Sequence, residues 1–131
     1  MFTKQAIIKT INSLDLEYPY KLMMGGSLVM RGIREETHDL DIDIHPNDFK
    51  RLRLYYRIGK PSISSLGNKK FDIETKYGEV EIFEVSNIDN DMEIIDGIQC
   101  QSLESIIEMK KSFNREKDKM DIKLIESKLS T

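Results

Sequence analysis

At 131 residues, with 39% hydrophobic and 33% charged side chains, the chain is about one domain long and ordinary in polarity for a globular protein. Its 20 basic and 23 acidic side chains leave a formal net charge of -3. That balance excludes an indiscriminate nucleic-acid binder working by bulk positive charge, though not a local basic groove.

Thr3 is placed to cap a helix in which Ile7, Ile8, Ile11 and Leu14 recur at three- and four-residue spacing. Tyr18-Pro19 closes that region, because a residue before proline is pushed out of helical geometry. Lys21 to Met24 reads as a short buried strand entering Gly25-Gly26-Ser27, and Ser27 is expected to cap a short helix from Leu28 to Gly32. From His38 to Ile44 the chain alternates strictly, with Asp39, Asp41 and Asp43 on one face and Leu40, Ile42 and Ile44 on the other. Period two means a strand.

Pro46 starts a further helix whose apolar side is Phe49, Leu52, Tyr55 and Tyr56. The serine- and glycine-rich stretch 62–68 has no assigned element. Phe71 to Lys76 and Glu79 to Val85 form two strands about a turn at Tyr77-Gly78, and a weak strand or turn follows around 94–98. Ser102 to Leu129 is helical, divided in two by the charged cluster 114–118. These elements amount to an α+β domain with a small, mostly antiparallel or mixed sheet and helices packed on it.

A lone cysteine, Cys100, excludes an internal disulfide and fits a reducing cytoplasm. Polar Thr3, Lys4 and Gln5 interrupt any signal-peptide core, and no apolar run nears the roughly 20 residues of a membrane helix. A soluble, cytoplasmic protein with no membrane partner is expected.

Three aspartates on one strand face are unusual, because Asp favours strands poorly and like charges repel. Residues i and i+2 on a strand lie roughly 6–7 Å apart, close enough for two carboxylates to clamp a hard cation such as Mg2+ or Mn2+. The alternative is a solvated strand face, although such faces favour Thr, Lys, Arg and Glu. Upstream, Gly25 and Gly26 would let backbone approach a ligand, and Ser27 would add a hydroxyl beside unpaired N–H groups, the parts of a phosphate cradle. No Gly-Lys-Ser/Thr follows, so this is not a P-loop.

Taken together, Met24-Gly25-Gly26-Ser27 followed by Asp39-Leu40-Asp41-Ile42 resembles the signature of the DNA polymerase beta-like nucleotidyltransferase superfamily. The resemblance implies a minimal nucleotidyltransferase fold, with a core of about 20–98 and C-terminal helices over about 102–129. It implies metal-binding, catalytic roles for Asp39 and Asp41, with Asp43 in support. It also calls for a third carboxylate on a nearby strand: Glu81, in Val80-Glu81-Ile82, is the candidate, with Asp72 and Glu79 as competitors.

The tail, with Lys110 and then Arg115-Glu116-Lys117-Asp118-Lys119-Met120-Asp121, resembles a bacterial subgroup that includes abortive-infection and lincosamide-resistance nucleotidyltransferases. By that resemblance Lys110 neutralises a triphosphate, with Arg115 near the nucleotide, while Asp118 or Asp121 positions the incoming group or braces Lys110 and Arg115; Arg31 is expected to help Lys110 balance the phosphate charge. The expected reaction moves a nucleoside monophosphate from a nucleoside triphosphate to a hydroxyl of RNA, protein or a small molecule. The alternative is an inactive nucleotide-binding module in a toxin–antitoxin or phage-defence complex. Little chain remains beyond the nucleotide site, so a protein partner, a second copy of the chain or a large macromolecular acceptor would complete the acceptor side.

Overall fold

The computed structural model describes residues 1–130. Helix α1 (Lys4–Leu14) starts where the Thr3 hydroxyl accepts the Ala6 N–H at 3.3 Å, and it ends at Asp15 in the left-handed region. Strand β1 (Lys21–Met23) passes directly into α2 (Met24–Met30). This corrects the expected helix over 28–32. No side chain caps α2; instead Met24 turns the chain at φ 52, and its N–H donates to Oε1 of Gln101 at 2.9 Å. A distant glutamine thus satisfies an N–H that a local cap would otherwise take, and Gly25, Gly26 and Ser27 lie inside the helix.

Strand β2 (Asp39–Ile44) begins one residue later than expected, and α3 (Pro46–Tyr55) follows with Pro46 in its first turn and Nδ1 of His45 accepting the Asn47 N–H. The stretch left unassigned contains β3 (Ser62–Ile63). Strands β4 (Lys69–Thr75) and β5 (Gly78–Glu84) form the expected hairpin. Where one weak strand or turn was expected, the chain forms a second hairpin, β6 (Met92–Ile95) and β7 (Ile98–Gln101), about Asp96-Gly97. Both turn residues have positive φ, 48° and 81°, as a tight two-residue hairpin turn requires. The C-terminal helices are α4 (Leu103–Phe113) and α5 (Glu116–Leu129), separated at left-handed Asn114.

The strands form one seven-stranded mixed sheet in the order β3-β4-β5-β2-β1-β7-β6. On its back face Leu40, Ile42 and Ile44 are fully buried and pack with Ile7, Ile11 and Leu14 of α1 and with Phe49 and Leu52 of α3. A smaller cluster, Leu28, Ile106 and Ile125, joins α2 to α4 and α5. One apolar face of β2 is therefore used up by the core, and its aspartates are forced onto the other. No described helix is long and apolar enough to cross a membrane.

Candidate active site

Register carries the site across the front of the sheet. Asp41 lies opposite Met23 on β1 and opposite Glu81 on β5, and Glu81 lies opposite Asp72 on β4. In-register neighbours share a face, so Asp41, Glu81 and Asp72 stand in one row. The row on one side holds Asp39, Glu79 and Glu74; the row on the other holds Lys21, Asp43, Phe83 and Lys70.

This face meets the C-terminal helices in a cleft of about 630 Å³. Asp41, Asp43 and Glu81 line it from the sheet, and Lys110, Arg115 and Lys117 line it from the C-terminal helical segment. Met23, Phe83, Met109 and Phe113 add apolar surface, and the β3–β4 loop contributes Ser64, Ser65, Leu66 and Asn68.

The electrostatics of the sheet wall are uneven. Burial pushes the Asp41 carboxyl up to about 8, helped by a hydrogen bond with Glu81 and by the charges of Glu81 and Asp39. Glu81 moves the opposite way: the hydrogen bond from Asp41 and the ammonium of Lys70 hold it below the usual carboxylate range. In the metal-free protein, then, Asp41 keeps a proton that it shares with an ionised Glu81. Oδ1 of Asp41 is buried and receives no hydrogen bond from any N–H or hydroxyl group. Leaving such an atom bare is costly unless a ligand completes it, and an oxygen beside two further carboxylates suits a hard divalent cation. Burial likewise raises Asp43, to about 6, against the pull of Lys21. Lys21 is itself tied to Asp89.

Of the expected catalytic carboxylates, Asp41 and Glu81 are directly opposite one another, and Asp39 is on the same face but exposed at the start of its strand. Asp72 and Glu79, the competitors for the third position, come within 4.8 Å of Glu81 and of each other, measured between nearest carboxylate oxygens. Glu81 is the one of the three that lines the cleft.

The glycine turn has a packing role that its sequence did not reveal. A Cβ on Gly26 would sit 2.8 Å from Cδ1 of Leu22 and 3.1 Å from Cδ2 of Leu40; one on Gly25 would sit 2.9 Å from the Thr37 hydroxyl. The room on the Cβ side of each glycine is taken by protein. Ser27 is fully buried, and its hydroxyl donates to the Gln101 carbonyl at 2.8 Å while accepting from Arg31. Arg31 also reaches Glu93 at 3.3 Å, so both residues tie α2 to the β6–β7 hairpin. Neither lines the cleft.

The tail residues do converge. The buried Lys110 ammonium lies 2.9 Å from Asp121 and 3.6 Å from Asp118. Arg115 donates twice to Asp118, at 2.6 and 3.1 Å, and its guanidinium covers the Phe113 ring at 5.0 Å. Asp118 is fully buried, and Arg115 holds its carboxyl below the ordinary range. Asp118 and Asp121 thus brace two cations that line the same cleft as the sheet carboxylates. Sequence reasoning missed three contributors: Lys70 on the sheet, the 64–68 loop, and Gln101. A serine-rich loop carries no signal for its role as a wall, whereas the Asp96-Gly97 pair was a usable sign of the hairpin that delivers Gln101.

A crystal structure from Thermotoga maritima, described as a "putative nucleotidyltransferase", matches 93% of this chain and 93% of its own with a TM-score of 0.66 and 14% identity. The chain has the nucleotidyltransferase fold, an α+β domain with a mixed sheet and C-terminal helices. No family model and no curated protein matches its sequence.

Proposed function

We propose that the chain is a metal-dependent nucleotidyltransferase, moving a nucleoside monophosphate from a nucleoside triphosphate to a hydroxyl acceptor. The observation that carries this reading is the meeting of two kinds of charge in one cleft, Asp41 and Glu81 from the sheet and Lys110 and Arg115 from the C-terminal helical segment. A metal–triphosphate needs both kinds of charge at once: carboxylates for the cation and ammonium or guanidinium groups for the phosphates. The nucleotidyltransferase fold and the sequence signature support the same reading.

Asp41 and Glu81, with Asp39 at the rim, would hold Mg2+ or Mn2+, which when bound would neutralise phosphate charge and sharpen an attacking oxygen. The bare Oδ1 of Asp41 is the observation that fits such an ion. Lys110 and Arg115, held by Asp118 and Asp121, would orient the phosphates, and the apolar wall at Phe113 and Met109 would take the base. Glu81, directly opposite Asp41, would also help to activate the acceptor hydroxyl as a carboxylate beside the cation. Gly25, Gly26, Ser27 and Arg31 would act beneath this site, by seating α2 against the sheet, and a direct phosphate contact from Ser27 would require its present bonds to break.

The test is transfer from labelled nucleoside triphosphates with Mg2+ or Mn2+, against RNA, protein and small-molecule acceptors. Activity that survives Asp41→Ala combined with Glu81→Ala would end this reading. A second reading is a nucleotide-binding module that works with a protein partner or a second copy of the chain. Leu66, 73% exposed, and Phe113, 40% exposed, stand at the cleft and favour it. A stable partner covering those two residues, with nucleotide bound but never turned over, would decide for the module.

A further inference from the structure

Lys70 sits among the carboxylates of the sheet wall, and nothing in the sequence signature asks for it. Its ammonium is 2.7 Å from Oε1 of Glu81 and 3.2 Å from Oδ1 of Asp72, and it lies 5.3 Å from the centre of the Phe83 ring. The side chain is 17% exposed, against 26% for Glu81 and 42% for Asp72. Lys21, the other lysine in these rows, is committed to Asp89. Lys70 is therefore the cation placed to balance Asp41, Glu81 and Asp72 when no metal is present.

A lysine there has a consequence for any divalent ion. Its charge repels the ion, and its bond to Glu81 takes up an oxygen the ion would otherwise use. We propose that Lys70 is the resident counter-cation of this site, holding the third carboxylate until a divalent ion displaces it and thereby setting the affinity for that ion. The inference rests on the nucleotidyltransferase reading, because it assumes that Asp41 and Glu81 bind metal. Weak affinity for free metal is the functional result: the ion enters well only when triphosphate oxygens help to hold it.

The experiment is titration of Mn2+ alone into the full chain, followed by calorimetry and by the electron paramagnetic resonance signal of free Mn2+. Wild type, Lys70→Met, Lys70→Arg and Asp41→Ala are compared. Removing one positive charge beside the ion should tighten Mn2+ binding by about ten-fold in Lys70→Met. Lys70→Arg, which keeps the charge, should bind about as wild type does. Without metal, Lys70→Met should melt lower than wild type, and Mn2+ should raise its melting temperature by more. Should Lys70→Met fail to fold, Lys70→Gln carries the same comparison. Equal or weaker Mn2+ binding in the neutral variant, with wild-type binding intact and lost in Asp41→Ala, overturns the role of Lys70 alone and leaves the parent reading standing. Absence of Mn2+ binding in wild type and Lys70→Met alike overturns the role of Lys70, and its absence even when a non-hydrolysable nucleoside triphosphate is added overturns both.

Discussion

Replacing Asp41 with Asn tests the electrostatics on which the site depends. The Asp41 carboxyl is raised from 3.8 to about 8, first by burial, then by its hydrogen bond with Glu81 and by neighbouring negative charge. The folded protein therefore keeps a proton that the unfolded chain has already lost between about pH 4 and pH 8. Stability contributed by this group is present below pH 4 and drains away as the pH rises through that window. A rise of about four units at roughly 1.36 kcal/mol each sets an upper bound of about 5–6 kcal/mol. Glu81, lowered by the same hydrogen bond, returns part of that, and solvent in the cleft screens more, which leaves about 1–2 kcal/mol. Asn at 41 keeps a donor for Glu81 and has no charge to bury. Its metal-free melting temperature should exceed that of wild type by about 4–8 °C at pH 8, with most of the gain gone at pH 5. Scanning calorimetry in chelator at the two pH values measures this. Added Mn2+ should reverse the order, because only wild type retains the ligand. An Asn variant no more stable than wild type at pH 8 in chelator would refute the argument.

Three other expectations follow from the packing around the cleft. Asp118→Ala leaves the buried Lys110 short of a partner and frees Arg115, so urea unfolding at neutral pH should show a loss of about 3 kcal/mol. Because the Asp118 carboxyl is held below its ordinary 3.8, the advantage of wild type should persist above about pH 4 and fade only in stronger acid. Gly26→Ala drives a methyl to within 2.8 Å of Leu22 and should cost about 1–3 kcal/mol by denaturant melt; a neutral result would mean the helix–sheet contact is looser than it stands. Ser27→Ala breaks a buried bond to the Gln101 carbonyl and should cost about 1 kcal/mol of stability while leaving KM for nucleoside triphosphate unchanged, whereas a large rise in KM would restore Ser27 to the phosphates.

What the sequence determined by itself was what depends on local periodicity and caps. The alternation of Asp39, Asp41 and Asp43 with Leu40, Ile42 and Ile44 identified a strand with one acidic face, because side chains on a strand alternate whatever packs on it. Thr3 and Pro46 marked helix starts through bonds and dihedral limits that act within a few residues. Ser27 failed as a cap because Gln101, far away in the chain, takes the N–H of Met24 and the helix starts four residues earlier.

Only the tertiary structure decided which carboxylates meet. Parallel pairing of β2 with β5 puts Asp41, rather than Asp39, against Glu81 at the cleft, and antiparallel pairing of β4 with β5 brings Lys70 to the same group. Register is a property of two strands together, set by the core they share, so neither strand's residues can state it alone. The same holds for environment: of three aspartates that are alike in the sequence, Asp39 stays exposed, while Asp41 and Asp43 are covered to a similar degree and differ by their neighbours, Glu81 helping to raise Asp41 to about 8 and Lys21 restraining Asp43 to about 6.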